Sequence, residues 1–578
     1  MADYPRKRAS IACEICRARR TRCDGQRPRC GFCITHDADC IYRQAAEPPP
    51  SKLESEVATI RQQLDQVLDI LAERNGLVPD RPISIPTHAS TNPEGMSTHT
   101  DQSNPATDII DDSTFPVMTI QRQSMMEVLN LDPDTGSWLI GLERQPLDGS
   151  HTPRMAASKM FLLRNERVGS ALGAFADRIH CWYPVLSFEF PTNFSSFLSG
   201  HVSSPVDTCL ALLALAIGSL AEKSNIAEAL HERPDAPYFD EAAGMLQDIL
   251  CDYTLGGLQC LILFSIYFMC RLKPCQAHDY ILMASFKAQN MLKSRTFSDD
   301  NSRSESLQRA YWAVLLIESE LAVQLDLAES GIWKYDDNVP LPAGDHIWQH
   351  PRETNLSPDS GMDHLSPQDS TDLTRSYFMA EIAMRRMLQR CTTSVSKSAG
   401  GRLRYAPLIA AELELQLNEW YDYLPPLLRF QKSPSKVNEL AILPTTLFLQ
   451  TQYSACKISI FWPAIYQAIE TGTANDELLH YCEKFLDEYM SFVLAASASL
   501  KSCLPNAWTL AASLFIISMA AIRALSVDCI RKLRHEQLYH YIHAALEAVG
   551  EVAPFSPSLM ALHGIFRNAV DSISSSPG

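Results

Sequence analysis

The sequence has no apolar run long enough to cross a bilayer. Its longest such runs, at 209–221, 260–270 and 510–522, are all shorter than the roughly 18 to 20 residues that a membrane-spanning helix needs. They therefore predict buried helices, and no membrane partner is expected. The first residues also lack the apolar segment of a signal peptide, so no secretory signal is expected.

The sequence also lacks the short motifs of the common enzyme classes. No G-x-S-x-G, Walker A or G-x-G-x-x-G pattern is present. His535, Glu536 and His540 resemble a zinc-protease motif, but the two histidines are five positions apart and do not share a helix face. Because no nucleophile, base and orienting group can be identified, we predict that the protein is not an enzyme.

Basic side chains are scarce over most of the chain. The 50 Lys and Arg stand against 67 Asp and Glu, which gives a net charge of −17. Residues 1–45 are the exception, because they hold ten basic side chains against five acidic ones. A basic module on an acidic body is typical of a protein in which one small part contacts a polyanion. The basic run at 5–8 is compatible with nuclear import.

Six of the 17 cysteines are clustered at metal-binding spacing. They follow the pattern C-x2-C-x6-C-x6-C-x2-C-x6-C, in which one C-x2-C-x6-C unit occurs twice. The six are Cys13, Cys16, Cys23, Cys30, Cys33 and Cys40. The other eleven are scattered, mostly in apolar helical runs, and are predicted to be small buried residues. An intracellular chain keeps its thiols reduced, so the clustered six are candidates for metal ligands.

The number of thiolates limits the number of zinc ions. A structural zinc ion takes four ligands in a tetrahedron, so six sulfurs fill two sites only if two of them bridge. A single zinc ion would leave two thiols unused, which the symmetric spacing makes less favourable. Because this segment has very few bulky apolar residues, bound metal must supply its folding energy.

Arginines crowd the segment between these cysteines. Four of them follow Cys16 in what is predicted to be a short helix, and two more flank Pro28; they are Arg17, Arg19, Arg20, Arg22, Arg27 and Arg29. Their mutual repulsion would be relieved by phosphates, and an arginine in the major groove can bind guanine O6 and N7 as a fork. These six are the predicted DNA-binding residues.

With these residues in view, segment 12–33, ACEICRARRTRCDGQRPRCGFC, closely resembles the fungal zinc binuclear cluster (Zn2Cys6) transcription factors. The resemblance implies two zinc ions per chain, with Cys13 and Cys30 as the bridging ligands and Pro28 as the loop proline. It also implies that the helix after Cys16 enters the major groove and reads a CGG-type triplet through Arg20. Many members of the family have lysine at that position, and arginine is a planar fork rather than a point charge.

A predicted dimerisation helix follows the cysteine module at 52–74. Apolar residues recur there in alternating steps of four and three, as in three heptads of a coiled coil: Leu53, Val57, Ile60, Leu64, Val67 and Leu71. We expect a parallel homodimer, although three heptads alone are marginal and a monomer is the alternative. Residues 75–158, rich in Pro, Ser, Thr and Asn in their first half, are predicted to form a largely disordered linker.

The remainder of the chain predicts a large all-α regulatory domain. Helical patterns fill 159–344, and the motif at 179–186 (IHCWYPVL), with 331–332 and 339–342, resembles the fungal-specific transcription factor (middle homology) domain. A polar stretch at 345–373, with two Ser-Pro sites, is predicted to be a disordered insertion. Residues 374–578 are predicted to form the C-terminal helical part of the domain.

These features together predict a nuclear, sequence-specific regulator of RNA polymerase II genes that binds CGG-like half-sites in double-stranded DNA. The resemblance implies a metabolic or secondary-metabolite gene set as its target, and the transcription machinery or coregulators as its partners. The alternative is a zinc-stabilised protein-interaction module on a helical scaffold. Only DNA binding predicts a steep loss of affinity with salt, so salt dependence separates the two hypotheses.

Overall fold

The computed structural model divides into two compact units, Met1–Ala106 and Thr107–Gly578. In the first unit it describes residues 13, 15, 16, 19, 21 and 23–41. In the second it describes 118–145 except 121, 165–350 except 202, 224, 295–299, 326 and 345, then 367–391, 395–397, 403–432 and 443–574 except 503. The predicted dimerisation helix at 52–74 and the predicted contacts Arg17, Arg20 and Arg22 lie outside the described residues.

The N-terminal unit contains one short described helix, α1 (Gly31–Thr35). It also contains a helical turn after the first cysteine, because the backbone N–H of Arg19 donates to the carbonyl of Ile15 over 3.0 Å. The buried centre of this unit consists of cysteine side chains, with Ile15 and Phe32 packed against them. This is the core of a segment too poor in apolar residues to fold by burial alone.

The second unit is built from helices, as the sequence predicted. Its N-terminal half contains α2 (Gln123–Val128), α3 (Thr135–Glu143), α4 (Asn165–Phe175), a π-helical turn (Ala176–His180), α5 (Phe190–Leu198), α6 (Pro205–Ala221), α7 (Ile226–Glu232), α8 (Ala236–Gly244), α9 (Leu246–Cys251), α10 (Leu255–Cys270), α11 (Pro274–Ser294), α12 (Asn301–Ala322) and a 3-10 turn (Ile332–Tyr335). Its C-terminal half contains α13 (Pro367–Cys391), α14 (Pro407–Asp422), a 3-10 turn (Pro426–Leu428), α15 (Pro444–Thr471), α16 (Asp476–Ser502), α17 (Ala507–Ala524), α18 (Asp528–Val552), a 3-10 turn (Ala553–Phe555) and α19 (Pro557–Ser574).

Local sequence explains where these helices begin. At the start of α6 the Ser204 hydroxyl accepts a hydrogen bond from the backbone N–H of Asp207, and Pro205 occupies the first turn. Thr254 caps α10 in the same way, through the backbone N–H of Gly257. Asp300 caps α12 by accepting from two backbone N–H groups. Each cap satisfies donors that the first helical turn leaves unpaired.

A single hydrophobic core extends from Ile120 to Val570. Helix α6 is buried on all sides from Cys209 to Ala221, and α10 and α17 are nearly as enclosed. By length and composition α17 is the one described helix that could cross a membrane, but 83% of it is buried inside the protein. The apolar runs predicted as buried helices therefore form the centre of the unit, with the amphipathic helices around them.

Residues of the sequence motif at 179–186 hold this core together across long sequence separations. The π-helical turn positions His180 so that its Nε2 accepts from the backbone N–H of Leu186 at 3.0 Å. Trp182 packs edge-on against Tyr377 and Phe448, both at ring-centroid distances of 5.3 Å. The hydrogen bond and the ring contacts of these residues stabilise the packed core.

Residues 118–145 correct the prediction of a largely disordered linker over 75–158. Helices α2 and α3 form there, and Met125, Met126 and Leu139 are buried in the core of the second unit. Glu143 at the end of α3 accepts hydrogen bonds from the hydroxyls of Ser556 and Ser558 at the start of α19. Contacts to residues more than 400 positions away stabilise this stretch, and local composition carries no sign of them.

Two smaller differences concern the second half of the body. Helix α13 begins at Pro367, inside the segment predicted as a disordered insertion at 345–373, because proline fits the first turn of a helix. The all-α prediction also missed a hairpin, in which β1 (Val395–Lys397) pairs antiparallel with β2 (Leu403–Tyr405). Strands of three residues are too short to produce a recognisable alternation.

Candidate metal centre and nucleic-acid interface

The six clustered cysteines come together in the N-terminal unit. Their sulfurs form two groups of four, each within 4.8 Å and each able to hold a metal ion. The first group is Cys13, Cys16, Cys23 and Cys30, and the second is Cys13, Cys30, Cys33 and Cys40. The two groups share Cys13 and Cys30, which is the sharing that two tetrahedral sites built from six sulfurs require.

The sulfur separations fit zinc. Cys13 Sγ lies 3.7 Å from both Cys30 Sγ and Cys33 Sγ, and Cys16 Sγ lies 3.6 Å from Cys30 Sγ. A tetrahedron with zinc–sulfur bonds of about 2.3 Å has sulfur–sulfur edges of about 3.8 Å. A set of soft thiolates without carboxylate or imidazole ligands also favours zinc over harder cations. The residues present therefore fit two zinc ions.

Backbone N–H groups point at two of these sulfurs. Cys30 is the N-cap of α1, and its sulfur accepts from the backbone N–H of Cys33 at 3.4 Å. The backbone N–H of Cys30 donates in turn to Cys40 Sγ at 3.3 Å. Such hydrogen bonds stabilise negative charge on sulfur and orient the ligands around the metal. The C-x2-C spacing thus places a helix N-terminus at the cluster.

Thiol ionisation in this unit depends on the surroundings of each sulfur. The pKa of Cys33 is raised, first by desolvation and then by hydrogen bonds with neighbouring thiols. Desolvation also acts to raise the pKa of Cys40, but the N–H of Cys30 and the other thiols outweigh it, so this pKa is lowered. Because zinc binds thiolates, metal binding must displace the protons that such sulfurs hold.

Asp24 braces the loop between the two halves of the cluster, a role that no sequence pattern predicts. Its carboxylate accepts from the backbone N–H groups of Gly31, at 3.0 Å, and of Gln26, at 3.2 Å. A Cβ on residue 31 would lie 2.6 Å from Asp24 Oδ2, so glycine is needed for this approach. An acid seven positions before a glycine carries no recognisable local signal, and only the folded loop reveals the pairing.

The structure describes three of the six predicted DNA-binding arginines. Arg19 and Arg27 are exposed on the surface of the unit. Arg29 is half-buried and donates from Nη2 to the carbonyl of Ala38 at 2.8 Å, with Asp37 Oδ1 at 3.5 Å. Arg29 therefore stabilises the loop between Cys33 and Cys40, and the sequence pattern did not predict this structural role.

Most of the scattered cysteines of the second unit are buried, as the sequence predicted, but Cys251 is exposed and Cys181 and Cys529 are half-buried. Those on α6, α10, α11, α13, α15 and α16 are buried, and all described cysteines have free thiols. Burial raises the pKa of Cys482, on α16, to about 12, so its thiol stays protonated at neutral pH. Thiols in this state are inert packing groups.

Family comparisons match both units. Residues 11–48 match the Fungal Zn(2)-Cys(6) binuclear cluster domain, and residues 172–422 match the Fungal specific transcription factor domain. The second match runs past the predicted boundary at 344 and ends with α14. No solved structure matches the chain.

Similar proteins are found among fungal regulators. A protein of Aspergillus rugulosus assigned as the transcription factor ecdB is 37% identical over 96% of this chain and 97% of its own length. The citrinin biosynthesis transcriptional activator mrl3 of Monascus ruber is 28% identical over 35% of this chain and 45% of its own. The asperfuranone cluster transcription factor afoA of Emericella nidulans is 41% identical over 11% of this chain and 10% of its own.

Proposed function

Since this chain belongs to the fungal Zn2Cys6 transcription factors, we propose that it binds CGG-like half-sites in the nucleus. Members of this family are DNA-binding proteins and not enzymes, and their cluster holds two zinc ions. The observation that carries the proposal is the pair of four-sulfur groups that share Cys13 and Cys30, next to a helical turn that bears exposed Arg19. In this proposal the two shared sulfurs bridge the metals and Cys16, Cys23, Cys33 and Cys40 are terminal ligands. The cluster holds the arginine-rich turn rigid enough to enter the major groove.

We propose two kinds of arginine contact with DNA. Arg20 is the proposed base reader, because its planar guanidinium can bind guanine O6 and N7 together. Arg17, Arg19, Arg22 and Arg27 are proposed to contact phosphates, which position the helix without specifying sequence. Arg29 is proposed to stabilise the folded loop rather than to contact DNA, because its guanidinium already donates to the carbonyl of Ala38.

The segment 52–74 is proposed to dimerise the protein. Its heptad positions run from Leu53 to Leu71 and would form a parallel coiled coil, so that two clusters bind two half-sites. Sedimentation of the full chain with and without DNA tests this step. Replacing Ile60 and Val67 by Asp should leave a monomer that binds a single half-site.

The target genes are proposed to belong to a biosynthetic cluster. Two relatives are named for the citrinin and asperfuranone pathways, and they match 35% and 11% of this chain respectively. Transcription machinery or a coregulator would then be recruited by the helical body. Transcript profiling of a strain that lacks the gene checks this proposal.

A salt series on the full chain tests DNA reading. Wild-type protein should prefer a CGG-containing duplex over a scrambled one, and its affinity should fall steeply as salt rises. Arg20→Ala should lose roughly 1–3 kcal/mol of that preference. Arg19→Ala is the matched control, because loss of a phosphate contact should weaken both duplexes equally and reduce the salt slope by about one. Binding that ignores salt and sequence would instead favour the protein-interaction module.

A further inference from the structure

Helix α14 (Pro407–Asp422) has apolar side chains on two opposite faces. Its inner face buries Ala410, Leu413 and Leu417 in the core. On the opposite side Leu408 is 88% exposed and Leu415 is 54% exposed. These two leucines are seven positions apart, so they lie in one line along the helix. Tyr423, just after the helix, is 87% exposed.

Carboxylates flank this line of exposed apolar groups. Glu412 and Glu419 are exposed, and they fall on the same side of the helix as Leu408 and Leu415. No Lys or Arg occurs in the sequence of α14. Within the described residues, no basic side chain forms an ion pair with these two glutamates. We call Leu408, Leu415, Glu412 and Glu419 the outer face.

The outer face is held in place before any partner arrives. Trp420 Nε1 donates to the carbonyl of Ala380 at 3.2 Å and fixes α14 against α13. Lys484 of α16 forms an ion pair of 2.9 Å with Glu414. A partner that binds this surface would not have to order the helix, and this reduces the cost of association.

We propose that the outer face docks a coregulator protein through an apolar groove bordered by Lys and Arg. A helix that presents anchors at i and i+7 matches recognition of a helix by a groove. The carboxylates require a cationic border, because they would be desolvated beside the leucines. The proposal rests on the proposed function, since the recruited protein is what changes transcription.

Charge argues against the other occupants of this face. A second copy of α14 would bring like charges together, and DNA or an anionic membrane would be repelled as well. Residues 433–442 of the same chain lie outside the described residues and hold one Lys and one Glu, so they supply no cationic border.

The test compares promoter occupancy with transcription for the full chain in a fungal host. Variants L408S/L415S and E412K/E419K should keep wild-type occupancy, while the change in transcription that the chain produces falls at least roughly fivefold. The control is F286S, which removes a side chain that is 53% exposed on α11 and has no acidic residue within one turn. If the wild-type chain does not occupy the promoter, DNA reading is refuted. If both double variants occupy the promoter and leave transcription unchanged, docking is refuted. If transcription falls in L408S/L415S but not in E412K/E419K, the partner has no cationic border and this part of the proposal is wrong.

A crosslinking measurement identifies the occupant independently of transcription. A photoreactive benzophenone side chain at position 415 of the full chain should form an adduct with another protein, at a peptide with apolar residues flanked by Lys or Arg. The same adduct should be lost in E412K/E419K. An adduct with residues 433–442, an adduct with a second copy, or the absence of any adduct would overturn the proposal.

Discussion

The sulfurs of Cys13 and Cys30 lie 3.7 Å apart, and each belongs to both groups of four thiols. Cys13→Ser should therefore disturb both metal sites, whereas each of the other four ligands belongs to one group only. We expect this variant to lose both zinc ions and the fold of the N-terminal unit, because metal supplies its folding energy. Zinc content per chain by elemental analysis is the measurement.

Cys251→Ser is the matched control for that experiment. Cys251 is an exposed thiol of the second unit, and its replacement should leave two zinc ions per chain. A Cys13→Ser protein that still holds two zinc ions would show that the bridging assignment is wrong. A chelator should abolish DNA binding by the wild-type chain in the same way.

His180 should make the second unit sensitive to acid. Burial, and then the charge of Arg309, lower its pKa from 6.5 to about 3. Below about pH 6.5 the histidine binds a proton in the unfolded chain but stays neutral in the native chain. The free energy of unfolding is therefore unaffected by this group above that pH and decreases as the pH falls below it. By about pH 5 the loss from this group should be about 2 kcal/mol.

Urea unfolding followed by tryptophan fluorescence measures this effect, because all eight tryptophans lie in the second unit. The free energy of unfolding of His180→Gln should depend less on pH than that of the wild type. His231→Gln, at an exposed histidine, should keep the wild-type dependence. Equal slopes for wild type and His180→Gln would contradict the assignment.

Two glycines on neighbouring helices should respond in opposite ways to alanine. A Cβ at Gly218 on α6 would lie 2.0 Å from the carbonyl oxygen of Ala171 on α4, so Gly218→Ala should destabilise by about 3 kcal/mol. A Cβ at Gly169 on α4 would meet nothing within 4 Å. Gly169→Ala should therefore stabilise by about 1 kcal/mol, because alanine favours the helix. Thermal unfolding of both variants is the check, and two shifts of the same sign would refute this packing.

Glu143 should be essential for docking residues 118–145 onto the body. It is 2% exposed, and its Oε1 accepts from the Ser558 backbone N–H at 3.1 Å and from the hydroxyls of Ser556 and Ser558. Glu143→Ala leaves these buried donors without an acceptor and should cost about 3 kcal/mol. Hydrogen exchange of 118–145 should rise in this variant, whereas Glu127→Ala, at an exposed acid, should leave it unchanged.

The metal centre was largely predictable because its information is local. The doubled C-x2-C-x6-C spacing forces six sulfurs into a small volume, and few bulky apolar residues compete with metal as the source of folding energy. The structural roles of Asp24 and Arg29 were not predictable, because both depend on how the loop from 24 to 38 closes on itself. The helical class of the body followed in the same way from apolar periodicity.

The sequence by itself determined the two zinc sites, the helical class of the body and the membership of a DNA-binding family. The zinc sites and the helical class rest on spacing or periodicity, which are properties of neighbouring residues, and the family rests on the resemblance of segment 12–33. Tertiary structure alone decided that 118–145 belongs to the folded body, that His180 stays neutral, and that α14 keeps apolar groups on its outside. These features depend on burial against residues far along the chain, and burial is set by packing rather than by local sequence.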